Sequence, residues 1–273
     1  TWAAVDLGCR RGSRLLFSGL NLRAEPGRAT WLRGRNGSGK TSLLRIAAGL
    51  ALPASGQVTW GGVPLRRAAD FAARRVYIGH ANAMKDDLTL TESLRFLARL
   101  QGRDGETGAI HAALQRLGLA SRRDAAVRTL SQGQRRRGAL ARLALERQAG
   151  IWILDEPYDA LDDDGVACIN GLLHEHLARG GSVLLTSHQP PGASAPPMTE
   201  FDLGRLVPFV FLMHAATPSG RNNLNQDRRF PPSVVRRQAG SLRSPALAFQ
   251  DTGPMLLQPP RKSLGRLVQR HHD

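Results

Sequence analysis

The sequence predicts an α/β fold built on a buried parallel sheet, and two stretches carry that prediction. The apolar run at 29–32 is followed by a glycine-rich turn at 34–39 and then by apolar residues at helical spacing. Further along, the apolar runs at 151–154 and 182–187 flank a helical pattern at 166–178. This order of strand, helix and strand is typical of parallel βαβ units whose strands are buried.

Composition places the chain among ordinary globular proteins. Its 273 residues are 41% hydrophobic and 22% charged, enough for one substantial α/β core and unlike a collagen or a coiled coil. Cys9 and Cys168 are the only cysteines, and their spacing favours neither a disulfide framework nor a zinc site. We therefore expect a reducing, cytoplasmic compartment.

The net charge of +16 comes almost entirely from arginine, since Lys40, Lys85 and Lys262 are the only lysines. Charge alone cannot choose among nucleic acid, anionic lipid head groups and a phosphate ligand as the binding partner. The most apolar stretch, at 206–216, is shorter than the ~20 residues that a membrane helix needs. We expect membrane attachment only through a partner protein.

The glycine-rich turn fits the phosphate-binding P-loop pattern, between an apolar strand and a helix as that pattern requires. Glycines let backbone N–H groups surround a phosphate, the lysine reaches the β- and γ-phosphates, and the threonine hydroxyl can bind Mg²⁺. The sequence therefore predicts a P-loop NTPase that binds ATP and Mg²⁺. The predicted ATP contacts here are Gly34, Arg35, Asn36, Gly37, Ser38, Gly39, Lys40, Thr41 and Ser42.

Two adjacent acids, Asp155 and Glu156, end the apolar strand at 151–154. The carboxyl end of a parallel strand lies at the same sheet edge as the P-loop, where a hard cation needs oxygen ligands. Adjacent strand residues point to opposite sides, so we expect Asp155 to hold Mg²⁺ together with Thr41, and Glu156 to act as general base. Without the P-loop upstream, the same pair could simply cap a turn.

Residues 130–134 read Leu-Ser-Gln-Gly-Gln, in which Ser131 and Gln134 have the spacing of a helix capping box. With the P-loop before it and the Asp-Glu strand after it, the pentapeptide resembles the LSGGQ signature of the ABC ATPase family, with Gln132 in place of a glycine. The resemblance covers roughly residues 5–189. It includes a D-loop at 158–162 and a switch histidine, His188, after the next apolar run.

The resemblance implies a site shared between two chains. In that family two ATP-binding domains pair head to tail, so a homodimer is implied, with Ser131, Gly133 and Gln134 contacting ATP in the partner's site. Lys40, Glu156 and His188 would be the catalytic residues, His188 by hydrogen bonding near the γ-phosphate. Catalysis would then consist mainly of positioning and charge stabilisation.

Two positions depart from the family pattern. Arg10 and Arg11 stand where an adenine-stacking aromatic is usual, and a guanidinium plane can stack on a base. His80 stands at or beside the Q-loop glutamine, which makes the His80 region a further candidate neighbour of the metal and adds pH sensitivity.

The sequences at 77–85, 133–137, 176–181 and 187–189 are similar to those of the cytochrome c maturation ATPases, CcmA, which are also called haem exporters. That resemblance implies an integral membrane partner like CcmB and a peripheral place on the cytoplasmic side of the bacterial inner membrane. We expect no nucleic-acid partner, because runs of arginine are only weakly specific for one. The residues themselves offer no haem-binding motif.

We expect an ABC-type nucleotide-binding domain at 1–189 with a helical subdomain at about 85–145. Prolines cluster after residue 190 and apolar periodicity fades, so 190–273 is interpreted as a largely disordered tail rich in proline and arginine. The arginines at 135–137 are interpreted as a solvated helix face.

Three alternatives stay open at this stage. The basic charge is compatible with a non-transport ABC ATPase acting on nucleic acid or the ribosome, although a single motif set without a long insertion does not favour one. The chain could instead be an ABC ATPase that exports a different substrate. Gln132 and His80 allow a regulatory subunit that binds ATP without hydrolysing it, against which Lys40, Asp155, Glu156 and His188 argue.

Overall fold

The computed structural model describes residues 1–103 and 105–206. All described residues belong to one compact unit. Most of the apolar stretch at 206–216 also lies outside them. Among the described residues, no helix combines the length and hydrophobicity that crossing a bilayer requires.

The predicted parallel sheet is present and has five strands in the order β6-β7-β8-β3-β9, each parallel to its neighbours. The strands are β3 (Ala29–Arg33), β6 (Arg75–Ile78), β7 (Ile151–Leu154), β8 (Ser182–Thr186) and β9 (Met198–Asp202). Since all five run the same way, their carboxyl ends meet at one edge. That edge carries the P-loop, the two acids, His80 and His188.

A second, antiparallel sheet has the order β2-β1-β4-β5. Its strands are β1 (Trp2–Arg11), β2 (Arg14–Ala24), β4 (Ser55–Trp60) and β5 (Val63–Pro64). The helices are α1 (Lys40–Ala47), α2 (Phe71–Arg74), α3 (Leu90–Leu100), α4 (Thr107–Arg116), α5 (Gln132–Leu140) and α6 (Asp163–Ala178).

Both faces of the parallel sheet are covered. Trp152 and Leu154 of β7 belong to a core that includes residues of α3 to α6, whereas Ile151 and Ile153 belong to a second core with residues of α1 and the antiparallel sheet. All four residues of β7 are consequently buried, which is why this strand reads as a continuous apolar run.

Helices fill the region predicted as helical, from α3 to the end of a short 3₁₀ segment at Ala141–Leu145. A capping box begins α3: the Thr89 hydroxyl accepts from the Glu92 N–H at 3.2 Å, and Glu92 Oε2 accepts from the Thr89 N–H at 2.8 Å. Ser131 and Gln134 make the same reciprocal pair at the start of α5.

The ordered fold continues beyond the domain boundary that the sequence analysis placed at residue 189. Strand β9 pairs with β3 along its whole length and is followed by a 3₁₀ turn, Leu203–Arg205, so a tail beginning at 190 is wrong for these residues. Because β9 lies at the sheet edge, only Met198 and Phe201 are partly buried, and the strand has little apolar periodicity to reveal it. Residues 207–273 of the expected tail lie outside the described residues.

One histidine is buried in the core. His176 of α6 is fully buried, and its ring stacks on the Trp152 indole with the centroids 3.9 Å apart and the planes 7° from parallel. Burial, with a smaller contribution from Arg179, lowers the pKa of His176 from 6.5 to about 4. The folded chain therefore holds this imidazole neutral where an unfolded chain would protonate it.

We expect this imidazole to make the fold acid-sensitive between pH 6.5 and about 4. In that range the unfolded chain binds a proton that the folded chain does not, so stability falls as the pH falls, by up to roughly 3 kcal/mol. His176→Phe, which keeps a flat ring against Trp152, should reduce this pH dependence in urea unfolding, while replacement of the exposed His174 by Gln should not. Equal pH dependence in wild type and His176→Phe would contradict the assignment.

Candidate functional site

The P-loop joins β3 to α1 and is shaped by glycines that no other residue replaces easily. Gly39, just before the helix, has φ 102°, and a Cβ there would lie 3.1 Å from the Phe17 ring. The Lys40 ammonium donates to the Gly34 carbonyl at 2.8 Å and so lies across the mouth of the loop. A helix start with free N–H groups and a lysine beside it is a phosphate-binding arrangement.

Asp155 is buried directly after β7, with 2% of its surface exposed. Its Oδ1 accepts a hydrogen bond from the Thr186 hydroxyl at 2.9 Å, but its Oδ2 is buried with no hydrogen-bond partner in the described part of the chain. An unpaired buried carboxylate oxygen is costly, and a hard cation would satisfy it. The site therefore fits Mg²⁺.

No cluster of three His, Cys, Asp or Glu side chains that could hold a metal ion occurs within 1–103 and 105–206. A cation at Asp155 would accordingly need other oxygens, such as the Thr41 hydroxyl, phosphate and water. Mg²⁺ is commonly bound in this way, by one or two carboxylates together with substrate phosphates.

Glu156 has an unusual backbone and a restrained side chain. Its φ is +50°, a left-handed conformation that costs a non-glycine residue free energy. Its N–H donates to the Thr186 hydroxyl at 2.9 Å, and its Oε2 accepts from the His188 N–H at 2.8 Å. Burial raises the pKa of Glu156, and a carboxyl group with a raised pKa is a stronger base when it is ionised.

His188 lies at the rim of the same site. Its Nε2 is 3.7 Å from Glu156 Oε1, and more than half of its side chain is exposed. The strand end before it is held because Trp31 Nε1 donates to the Ser187 carbonyl at 3.2 Å. An imidazole in this place can donate a hydrogen bond to a ligand in the cavity.

His80 follows β6 and also reaches the site. Its Nδ1 is 3.6 Å from Asp159 Oδ2, and its side chain is largely exposed. The two residues connect the segment after β6 with the predicted D-loop.

A cavity of about 590 Å³ brings these groups together. Arg11, Arg14 and Leu16 line it beside the P-loop, and no described aromatic side chain lines it, in agreement with the departure noted at Arg11. The predicted site residues among its lining are Arg35, Asn36, Gly37, Gly39, Lys40, Thr41, Ser42, His80, Asp155, Glu156 and His188. Gly34 and Ser38 line a neighbouring cavity that shares the P-loop.

Ser131, Gly133 and Gln134 line neither of these cavities. Ser131 and Gln134 cap α5, and a Cβ on Gly133 would come within 2.8 Å of the Ala160 carbonyl. The structure therefore does not place the signature in the nucleotide cavity of its own chain. This is the arrangement expected if these residues serve a second chain.

Two residues of the site were missed from the sequence. Arg136 was interpreted as part of a solvated face, yet it is only 3% exposed, which corrects that interpretation. Its spacing from Leu140 and Leu143, at i+4 and i+7, places it on the buried stripe of the segment and could have revealed it. Thr186, whose hydroxyl lies between Asp155 and Glu156, ends a strand beside the acid-bearing one.

Comparison with known proteins gives consistent matches. The family model for ABC transporters matches residues 17–159. A cytochrome c biogenesis ATP-binding export protein CcmA from Aromatoleum aromaticum is 47% identical over 205 residues, which are 75% of this chain and 95% of that protein. The protein of the same name from Methylococcus capsulatus is 48% identical over 186 residues, 68% and 89% of the two chains.

Solved structures match the fold at lower identity. An ABC transporter ATP-binding protein from Pyrococcus furiosus superposes with a TM-score of 0.64 and 22% identity, over 75% of this chain and 98% of that one. The bacterial ABC transporter cassette MJ0796, described as dimeric, superposes with a TM-score of 0.65 and 20% identity, over 75% and 95%.

Proposed function

We propose, for a chain that belongs to the ABC transporter family and groups with the CcmA cytochrome c biogenesis ATP-binding export proteins, a role in ATP hydrolysis. The hydrolysis would energise an export complex of c-type cytochrome assembly. The observation that carries the proposal is one cavity lined by most of the P-loop, by Asp155 and by the restrained base Glu156. Oδ2 of Asp155 is buried there with no hydrogen-bond partner in the described part of the chain. We propose haem as the cargo only because the resembled family is also called the haem exporters.

Binding and orientation come first. The P-loop N–H groups and Lys40 hold the β- and γ-phosphates. Arg11 and Arg14 line the part of the cavity where the adenine of ATP would lie. Asp155 and Thr41 would hold Mg²⁺, with His80 nearby; the ion supplies charge neutralisation on the phosphates.

Hydrolysis is then a transfer of the γ-phosphoryl group to water. Glu156 takes the proton of the attacking water, whose oxygen bonds to the γ-phosphorus as the bond to the β-phosphate oxygen breaks, giving ADP and phosphate. The backbone N–H of His188 holds the Glu156 carboxylate by a hydrogen bond, and the His188 imidazole would donate to the γ-phosphate. Lys40, Glu156 and His188 therefore act on the nucleotide held by their own chain.

Assembly completes the site. In the proposed homodimer, Ser131, Gly133 and Gln134 of one chain contact the nucleotide held by the other, consistent with their absence from the cavity of their own chain. ATP would close the pair and hydrolysis would reopen it, which an integral membrane partner like CcmB would sense as two conformations. The complex would lie at the cytoplasmic face of the bacterial inner membrane.

Complementation tests this proposal. In a bacterium deleted for its own CcmA gene but retaining the membrane partner, the wild-type chain should restore c-type cytochromes, measured by haem staining of membrane fractions. Glu156→Gln, expressed to the same level, should restore none, because closure without hydrolysis cannot cycle. An ATP-hydrolysing wild-type chain that restores no cytochrome would indicate a different cargo, and restoration by Glu156→Gln would contradict an energising role.

A further inference from the structure

Arg136 carries a buried guanidinium that joins the helical region to the sheet edge where the site lies. From α5 its Nη2 donates to the carbonyls of Asp155 at 2.8 Å and Glu156 at 2.7 Å. Its Nη1 donates to the Gly79 carbonyl at 2.9 Å and to Asn82 Oδ1 at 3.1 Å. One side chain therefore holds the segments that follow β6 and β7.

The environment of this guanidinium is costly for a charge. Within 1–103 and 105–206 no carboxylate bonds it directly, and its Nε is buried without a hydrogen-bond partner. Burial lowers the pKa of Arg136, although the charges of Asp159, Asp155 and Glu156 act in the opposite direction. A buried charge of this kind is tolerated only where its hydrogen bonds are well made. The buried guanidinium needs its four hydrogen-bond acceptors, and its hydrogen bonds in turn hold those acceptors in place.

The acceptors matter because of what they orient. The carbonyls of Asp155 and Glu156 belong to the backbone units that set the direction of the two acidic side chains. Glu156 is also the residue with φ +50°, a conformation that persists only where its surroundings enforce it. Arg136 supplies part of that enforcement by fixing the carbonyls on both sides of the strained residue.

The same helix begins at the signature. Ser131 caps α5 five residues before Arg136, Gly133 packs on the Ala160 carbonyl, and Arg137 Nη2 lies 3.3 Å from Asp162 Oδ2. The helix is thus fastened to the segment after β7 at three points. A shift of the signature would be transmitted to the backbone of Asp155 and Glu156.

We propose that Arg136 is a positioning residue for ATP hydrolysis, which ties the signature helix of each chain to the general base of that same chain. The proposal rests on the proposed function, because it concerns the same reaction. In a head-to-tail dimer, the partner's nucleotide would contact the signature of this chain. A resulting shift of α5 would then move the backbone of Glu156 in the same chain, through the hydrogen bonds of Arg136. The two composite sites would be coupled through this contact.

The neighbouring Arg135 offers a matched control on the same helix. It donates to the carbonyls of Leu130 at 3.2 Å and Arg128 at 2.8 Å, and it pairs with Asp86. All these partners lie in the helical region or the segment leading into it. None of the hydrogen bonds or ion pairs that Arg135 makes with described residues reaches the segments that follow β6 and β7.

The test compares Arg136→Lys, Arg135→Lys and Asn82→Ala in the complex with the membrane partner. A lysine keeps the charge but cannot reach all four acceptors, so Arg136→Lys should lower kcat for ATP by about ten- to a hundredfold with KM changed less than about twofold. Asn82→Ala removes one acceptor and should lower kcat by about two- to fivefold. Arg135→Lys should leave both constants near wild type.

A second readout does not depend on turnover. In the nucleotide-free chain, amide hydrogen exchange should quicken at residues 79–82 and 155–160 in Arg136→Lys, but not in the P-loop. If the wild-type chain hydrolyses no ATP, the proposed function fails while this exchange pattern still tests the contact. Wild-type kcat in Arg136→Lys, or a fall in thermal stability with unchanged kcat and exchange, would overturn the positioning role.

Discussion

Replacement of Glu156 by Gln is expected to lower ATP turnover by about a thousandfold while ATP still binds. Glutamine keeps the shape of the side chain and can still accept from the His188 N–H, but it cannot take a proton from water. The loss should therefore appear in kcat, measured by phosphate release, with little change in the affinity for a fluorescent ATP analogue. The exposed Glu175→Gln is the matched control and should leave turnover unchanged.

The pH dependence of wild-type turnover offers a second view of the same group. Burial raises the pKa of Glu156, so the ionised base should be lost as the pH falls through a value above that of an ordinary glutamate. The acid limb of the kcat profile should vanish, along with most activity, in Glu156→Gln. Turnover that survives the substitution would mean that another group activates the water.

The second large effect is expected from Asp155→Asn. The amide keeps the contact with the Thr186 hydroxyl but removes the charge that a cation needs. Turnover should fall by about a hundredfold, and the Mg²⁺ concentration for half-maximal rate should rise by more than about tenfold. A magnesium titration of ATP hydrolysis measures both changes.

Stability should move in the opposite direction in the absence of metal. Among the described residues Oδ2 of Asp155 has no hydrogen-bond partner, which penalises the nucleotide-free wild type, so Asp155→Asn should be more stable by about 1 kcal/mol. Wild type should regain the advantage when Mg²⁺ and ATP are added, because binding stabilises only the folded chain. An exposed control, Asp164→Asn, should show neither effect. Destabilisation of metal-free Asp155→Asn would mean that Oδ2 has a partner in the folded chain.

Local sequence was sufficient for much of this site. The P-loop, the two acids after β7 and His188 after β8 each follow a buried strand, and parallel strands bring their ends to one edge. Residues that belong to the site through contacts distant in sequence were harder to find. Arg136 was interpreted as one of three surface arginines because it lies in a charge run, although its spacing from Leu140 and Leu143 places it on the buried stripe of the segment.

The boundary of the fold was hidden for a different reason. Strand β9 follows a proline cluster and exposes most of its side chains at a sheet edge, so neither hydrophobicity nor periodicity marks it. The strand is held by backbone pairing with β3 and by the packing of Met198 and Phe201 against the two cores. Such pairing depends on the register of a distant strand, which no local window contains.

The central claim is that two copies of this chain complete the hydrolytic site, and the mass of the Glu156→Gln chain with Mg²⁺ and ATP tests it most directly. Size exclusion with light scattering should give twice the monomer mass in ATP and the monomer mass in ADP, since only the γ-phosphate engages the partner's signature. Ser131→Arg in the same background should abolish the dimer, because a bulky cation would replace the cap of α5 at the shared site. A Glu156→Gln chain that binds ATP and stays monomeric would contradict the account.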